Sequence, residues 1–142
     1  MELHSRLLLE DNILVATVHE PVGTEQRAAL AGEIDRLIDE HRPAGLVAAL
    51  GPDAATAAAV SVVLRLYRHH AGNGIVMAVA TPPAAVRYLI KANQPSLPVH
   101  TDTTDALGTV RASLRRQAAE LGPGTRQSPP GSFGAPGRTM SM

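Results

Sequence analysis

The sequence contains no cysteine, so disulfide bonds, thiolate metal sites and a thiol nucleophile are all excluded. It holds only two Tyr and one Phe among 142 residues, and therefore offers few aromatic faces on which nucleic-acid bases could stack. The formal net charge is zero, which provides no basic footprint for nucleic acid or for an anionic membrane. We therefore expect a protein that binds neither nucleic acid nor membranes.

Long apolar runs are absent as well. The short apolar run near the N-terminus ends at Glu10 and is too short for the core of a signal peptide. No apolar run approaches the roughly 20 residues that cross a bilayer. These absences predict a cytoplasmic protein.

Motifs that carry catalysis or cofactor binding are missing too. The chain has no GxxxxGK[ST] phosphate loop, no GxGxxG after a strand and no GxSxG nucleophile turn. None of the six His falls into an HExxH arrangement that would hold a metal ion on one helix face. The adjacent His69 and His70 are expected on a solvated helix surface, with an interface role as the alternative. The sequence predicts a protein that is not an enzyme and that has neither a metal nor a cofactor.

What the sequence does contain is a regular alternation of short apolar runs and amphipathic segments. Two β-rich segments separated by a polar turn open the chain, and apolar runs then alternate with segments of helical period. The predicted strands span about 3–10, 12–20, 44–50, 75–80 and 97–100. The predicted helices span about 24–41, 54–71 or 56–71, 82–92 and 102–121. This order predicts an α/β fold, with a mixed, mostly parallel sheet of about five strands and four helices packed on it.

Capping residues predict where the helices begin. Thr24 and Thr56 are predicted N-caps of the first two helices, and Thr81 is predicted to cap a third helix that starts with Pro82. Thr101 or Asp102 is predicted to cap the last helix.

The composition changes after residue 121. Residues 122–142 are dense in Gly, Pro and Ser and show no periodic apolar residues. Such a segment buries too little apolar surface to offset its ordering entropy, so we predict a disordered tail at 122–142 after a domain at 1–121.

Taken in order, these pieces resemble the STAS domain, the fold of the bacterial anti-sigma-factor antagonists. The first matching strand is NILVATV, and the central apolar strand is AGLVAAL. The second helix, Gly-rich turn, fourth strand and Pro-started third helix correspond to VSVVLRLYRHHAGNGIVMAVATPPAAVRYL. The last short strand and helix start correspond to LPVHTDTTDAL. The resemblance covers about residues 5–115 and implies a STAS-like fold.

The family's phosphoacceptor motif, Asp-Ser-Ser/Thr-Gly-Leu/Val, stands at the start of the second helix. In the family, a partner kinase that is also an anti-sigma factor phosphorylates the second hydroxyl residue. Aligned through Val62-Val63-Leu64, the motif falls on residues 56–60, and Ala58 takes the acceptor position. Alanine has no hydroxyl, so the resemblance implies a site that cannot be phosphorylated. A two-residue shift would place Thr56 there, with Asp53 nearby. The other interpretation of Thr56 is a helix N-cap.

The resemblance implies a protein-binding regulator that docks onto an anti-sigma factor or a related kinase-like ATP-binding protein. The chain departs from the family before its first helix, where His19-Glu20-Pro21-Val22-Gly23 replaces the family's Gly-Glu-Leu/Ile-Asp. Two alternatives remain open, a scaffold subunit of a homo-oligomer or larger signalling assembly and a small-ligand sensor. The predicted partner-binding residues are Glu20, Gly23, Asp53, Thr56, Ala57, Ala58, Ala59 and Val60.

Overall fold

The structure, a computed structural model, describes residues 3–8 and 11–121 and contains a five-stranded sheet in the order β1-β2-β3-β4-β5. β1 runs antiparallel to β2, and every other pair of neighbouring strands is parallel. The strands are β1 (Leu3–Leu8), β2 (Ile13–Val18), β3 (Gly45–Leu50), β4 (Val76–Ala80) and β5 (Val99–His100). The predicted mixed, mostly parallel sheet is confirmed. The predicted tail at 122–142 lies outside the described residues.

Four helices accompany the sheet, as predicted. They are α1 (Arg27–His41), α2 (Ala57–Ala71), α3 (Ala84–Asn93) and α4 (Thr103–Leu121). Parallel crossovers are right-handed, and here the strand order follows the chain, so α1, α2 and α3 lie on the same face of the sheet. Their buried side chains form a core with alternate strand residues such as Leu14, Leu46 and Met77.

The opposite face of the sheet is also buried. Its side chains include Val15, Val47 and Ala78, which are at most 2 % exposed, and Val110 of α4 is fully buried. A Cβ added to Gly45 would lie 2.5 Å from Val110 Cγ1, so α4 packs directly against β3 at this point. Burial on both faces explains why β3 is a continuous apolar run without alternation.

Internal contacts divide the chain into two compact units, Met1–Arg111 and Ala112–Met142. The first unit holds the sheet, α1 to α3 and the beginning of α4. In the second, the described residues continue α4 to Leu121. The domain boundary at residue 121 stays a prediction. Within the described residues, no helix is long and apolar enough to span a bilayer.

The predicted cap of the first helix is wrong. Thr24 begins a short 3-10 turn, Thr24–Gln26, which Gly23 caps, and α1 itself begins at Arg27 with Gln26 as its cap. The Gly23 N–H donates to Gln26 Oε1 at 2.8 Å. Gln three residues after the cap supplies the acceptor of a capping box, so Gly23 serves without a side chain of its own.

The predicted cap of the third helix is also wrong. Pro83, not Thr81, precedes the first residue of α3, Ala84. A residue before proline is driven to an extended conformation, so the helix begins only after the second of two prolines. The Thr81 hydroxyl is buried and has no hydrogen-bond partner among the described residues. For α4, Asp102 is confirmed as the cap, since its Oδ1 accepts the Asp105 N–H at 2.9 Å.

The expectation that His70 is solvated is wrong. His70 is only 6 % exposed, and its Nε2 lies 2.7 Å from Asp35 Oδ1 on α1. The residue follows the apolar stripe of α2, four positions after Leu66 and seven after Val63, which is the signal that could have placed it inside. The bond to Asp35 satisfies the buried imidazole and links α1 to α2.

The contact between β3 and α4 yields a stability prediction. Gly45→Ala should destabilise the domain by roughly 1–3 kcal/mol, because the added methyl overlaps a β-branched side chain that a helix holds in one rotamer. Gly32 is the matched control, since a Cβ there would meet nothing within 4 Å on an exposed helix face. Gly32→Ala should stabilise the domain by about 0.5–1 kcal/mol. Urea unfolding measures both, and a Gly45→Ala variant as stable as wild type would contradict the close approach.

Candidate functional site

Two loops meet where β2 and β3 end. Because these strands are parallel neighbours, the loops that follow them leave the sheet at the same edge. The Gly51 N–H donates to Val18 O at 2.9 Å, and Thr56 Oγ1 donates to Val22 O at 2.8 Å. The structure therefore brings the segment 20–23 and the start of α2 together. The predicted partner-binding site requires these two segments to be neighbours.

Thr56 is the N-cap of α2. Its backbone is extended, and its Oγ1 accepts the Ala59 N–H at 3.1 Å while donating to Val22 O. The half-buried hydroxyl thus uses both its donor and an acceptor function within the chain. This geometry supports the N-cap interpretation of Thr56 over the phosphoacceptor interpretation.

The first turn of α2 directs several predicted contact residues into the core. Ala59 and Val60 are buried, so their side chains pack inside the protein and a partner cannot touch them. Ala58, the second residue of the helix, is 9 % exposed and also belongs to the buried core. The predicted residues that a partner can reach more fully lie at the loop edge: Glu20, Gly23, Asp53, Thr56 and Ala57.

A groove of about 240 Å³ extends this edge between α1 and α2. Its small apolar lining includes Ala31 and Val62, and its polar lining includes Ser61 and the guanidinium-bearing Arg27 and Arg65. The sequence analysis missed both arginines. Each stands on its own helix at a polar position, and only the packing of α1 on α2 makes them line one groove.

The described residues offer no evident metal centre at this edge or elsewhere. Within residues 3–8 and 11–121, no group of three or more His, Asp or Glu side chains is placed to hold a metal ion. This edge is a shallow surface of small residues with charges of both signs around it. Glu20 and Asp53 are on the loops, and Arg27 and Arg65 line the groove. Such a surface suits contact with another protein.

Comparison with known proteins gives matches among solved structures only. No family model matches the chain, and a search of curated proteins found no match. One matching structure is RsbS from Moorella thermoacetica with a serine-to-glutamate substitution, at a TM-score of 0.65 and 12 % sequence identity. The match covers 81 % of this chain and 99 % of that one. The fold is STAS-like. The predicted fold class is thereby confirmed, and at this identity the likeness concerns the fold alone.

The double role of Thr56 can be tested by removing its hydroxyl. Thr56→Val should lower the free energy of unfolding by about 1–3 kcal/mol, because α2 loses its cap and the Val22 carbonyl loses its donor. Thr56→Ser keeps the hydroxyl and should stay near wild type. Urea denaturation of the two variants side by side is the measurement. Equal stability of Thr56→Val and Thr56→Ser would show that the hydroxyl does not hold the loops together.

Proposed function

We propose that the protein is a non-enzymatic, protein-binding regulator of the anti-sigma-factor-antagonist type, which is not switched by phosphorylation. Its partner is an anti-sigma factor or a related kinase-like ATP-binding protein. The observation that supports the proposal is the STAS-like fold. The sequence resemblance aligns Ala58, at the entrance of α2, with the family's phosphoacceptor.

The surface around this entrance supports contact with a protein. Ala57 is exposed and small, so a partner backbone can approach the helix start closely. Glu20 and Asp53 flank it on the two loops, and the α1–α2 groove adds two guanidinium groups and the carboxylate of Glu25. Charges of both signs around a small apolar centre favour a partner with a complementary pattern and suppress wrong partners.

The absence of a switch follows from two side chains. A phosphoryl group would add a charge of about −1.5 to −2 at this edge and disrupt a packed interface by repulsion and desolvation. Ala58 has no hydroxyl to receive it. The Thr56 hydroxyl is engaged with Val22 and Ala59. In this proposal, binding depends on the amounts of the two proteins rather than on phosphorylation.

Affinity capture from the native host tests the proposal, with mass spectrometry of what wild type and variants retain. Ala57→Asp and Thr104→Asp form a matched pair. Each adds a carboxylate at an exposed residue in the first turn of a helix, where a negative charge stabilises the helix. We expect wild type and Thr104→Asp to retain a kinase-like anti-sigma factor. Ala57→Asp and Ala58→Asp should each retain at least about tenfold less of this partner, because each places an unpaired charge in the interface.

Two outcomes would contradict this docking site. Either wild type retains no anti-sigma factor or kinase-like ATP-binding protein, or all four proteins retain the same one equally. Circular dichroism of each variant shows whether the fold is intact, and Ala57→Asp, whose new charge is exposed, keeps the test valid if Ala58→Asp is destabilised.

A second candidate function, a scaffold subunit that associates with copies of itself, is favoured by the outer face of α3. Tyr88 is 78 % exposed and Leu89 is 44 % exposed, and they are the exposed large hydrophobic residues of the described chain. The exposed residues around them on α3 include Ala84, Ala85 and Ala92. An apolar face with small neighbours allows close helix–helix approach.

The two cations of α3 are bound to the chain's own loops. Arg87 Nη1 donates to Thr81 O at 2.9 Å, and Lys91 Nζ donates to Pro95 O at 2.8 Å. Neutral carbonyls leave both charges in place, but these bonds hold the two head groups at the chain's own loops. In a two-fold contact each surface meets its own copy, so cations held at loops are less free to oppose one another.

Light scattering over a concentration series tests self-association through α3. Wild type and Tyr88→Phe should show the same concentration-dependent rise in mass. Tyr88→Asp should remain monomeric, because a carboxylate would be buried against its own copy. A wild-type protein that is monomeric throughout, or a Tyr88→Asp variant that associates like wild type, would rule this candidate out.

A further inference from the structure

A separate groove of about 350 Å³ lies at the β1–β2 hairpin, on the face of the sheet that carries α4. Val15 is a buried lining residue, and polar side chains of β1, of the end of β2 and of the α4 start surround it. The lining residues that matter are His4, Arg6, Val15, Thr17, His19 and Thr103.

The strand register places these side chains next to one another. In the antiparallel pair, His4 is opposite Thr17 and Arg6 is opposite Val15, so the four side chains share one face. His19 stands two residues beyond Thr17, and its ring meets that of His4 edge-on with the centroids 5.0 Å apart. The hairpin thus holds one guanidinium and two imidazole groups along one wall of the groove.

The chemistry of the lining favours an anion. Arg6 and His19 offer N–H donors, the hydroxyls of Thr17 and Thr103 add two more, and no carboxylate is among the lining residues that the structure describes. Within residues 3–8 and 11–121, Arg6 makes no ion pair. The nearby Asp102 uses Oδ1 to cap α4 through the Asp105 N–H. A guanidinium fork fits phosphate oxygens in a bidentate manner.

We propose that this groove binds a phosphate group, either free or carried by a small molecule. Its volume is at the lower end of the range for small-ligand pockets, which suits a compact phosphorylated compound. The site differs from the loop edge of β2 and β3 and does not depend on the proposed partner. His19 directly precedes Glu20, so a bound ligand would lie beside the loop proposed to dock a partner.

The test is a titration of the full ¹⁵N-labelled chain at constant ionic strength, with inorganic phosphate in one arm and adenosine monophosphate in the other. We expect saturable amide shifts concentrated at residues 4–6, 15–19 and 103. Tighter binding of the monophosphate assigns the groove to a phosphorylated small molecule, and equal binding assigns it to free phosphate.

Variants separate this groove from other basic surfaces. Arg6→Gln should weaken phosphate binding by about tenfold or more, because a charge-assisted bidentate contact is lost. Arg6→Lys keeps the positive charge but loses the bidentate guanidinium geometry. Its affinity for phosphate should lie between those of wild type and Arg6→Gln. Arg68→Gln, at an exposed arginine of α2 outside the groove, should bind like wild type.

The proposal fails if neither compound gives saturable shifts, if Arg6→Gln binds as tightly as wild type, or if the shifts centre on Arg27 and Arg65 instead. Amide dispersion reports whether Arg6→Gln is folded. If it is not, His19→Ala takes its place, since His19 lies beyond the last residue of β2, and the loss of its N–H donor should also weaken phosphate binding.

Discussion

The burial of β3 on both faces is the constraint on which the rest of this structure depends. Small aliphatic residues allow helices to pack above and below the strand, and at Gly45 the absence of a side chain admits Val110 of α4. Burial on both faces is typical of strands that pair in parallel through helical crossovers, as β3 does with β2 and β4. Those crossovers then bring the loops after β2 and β3 to one edge, where the proposed docking surface lies.

At that edge, atoms that stabilise the fold lie beside the proposed docking surface. The Thr56 hydroxyl starts α2 and fastens the preceding loop through Val22. A rigid loop edge offers a preorganised surface, which reduces the ordering cost of binding. The Thr56 hydroxyl makes both of its hydrogen bonds within the fold. The chain therefore combines a STAS-like fold with a helix entrance at which the Thr56 hydroxyl serves packing and capping.

Much of the fold was predictable because its signals are local. The apolar runs of β3 and β4, the helical period of α1 and the Thr56 and Asp102 caps each depend on residues close in sequence. The misplaced starts of α1 and α3 are local as well: the Gly23–Gln26 capping box and the second proline, Pro83, outweighed the threonines at 24 and 81. The burial of His70 also had a local signal in the apolar stripe of α2, whereas its partner, Asp35, is on another helix and could not be read from that stripe.

By itself, the sequence determined the order and type of the elements, the missing hydroxyl at residue 58 and the lack of cysteine chemistry, since these depend on residue identity and short-range periodicity. Only the tertiary structure decided which side chains are neighbours. It turned Ala59 and Val60 inward, placed Arg27 beside Arg65 across two helices, and aligned Arg6 with His4 and His19 along a hairpin. The physical reason is that helix packing and strand register join residues far apart in the chain, and no local pattern encodes those distances.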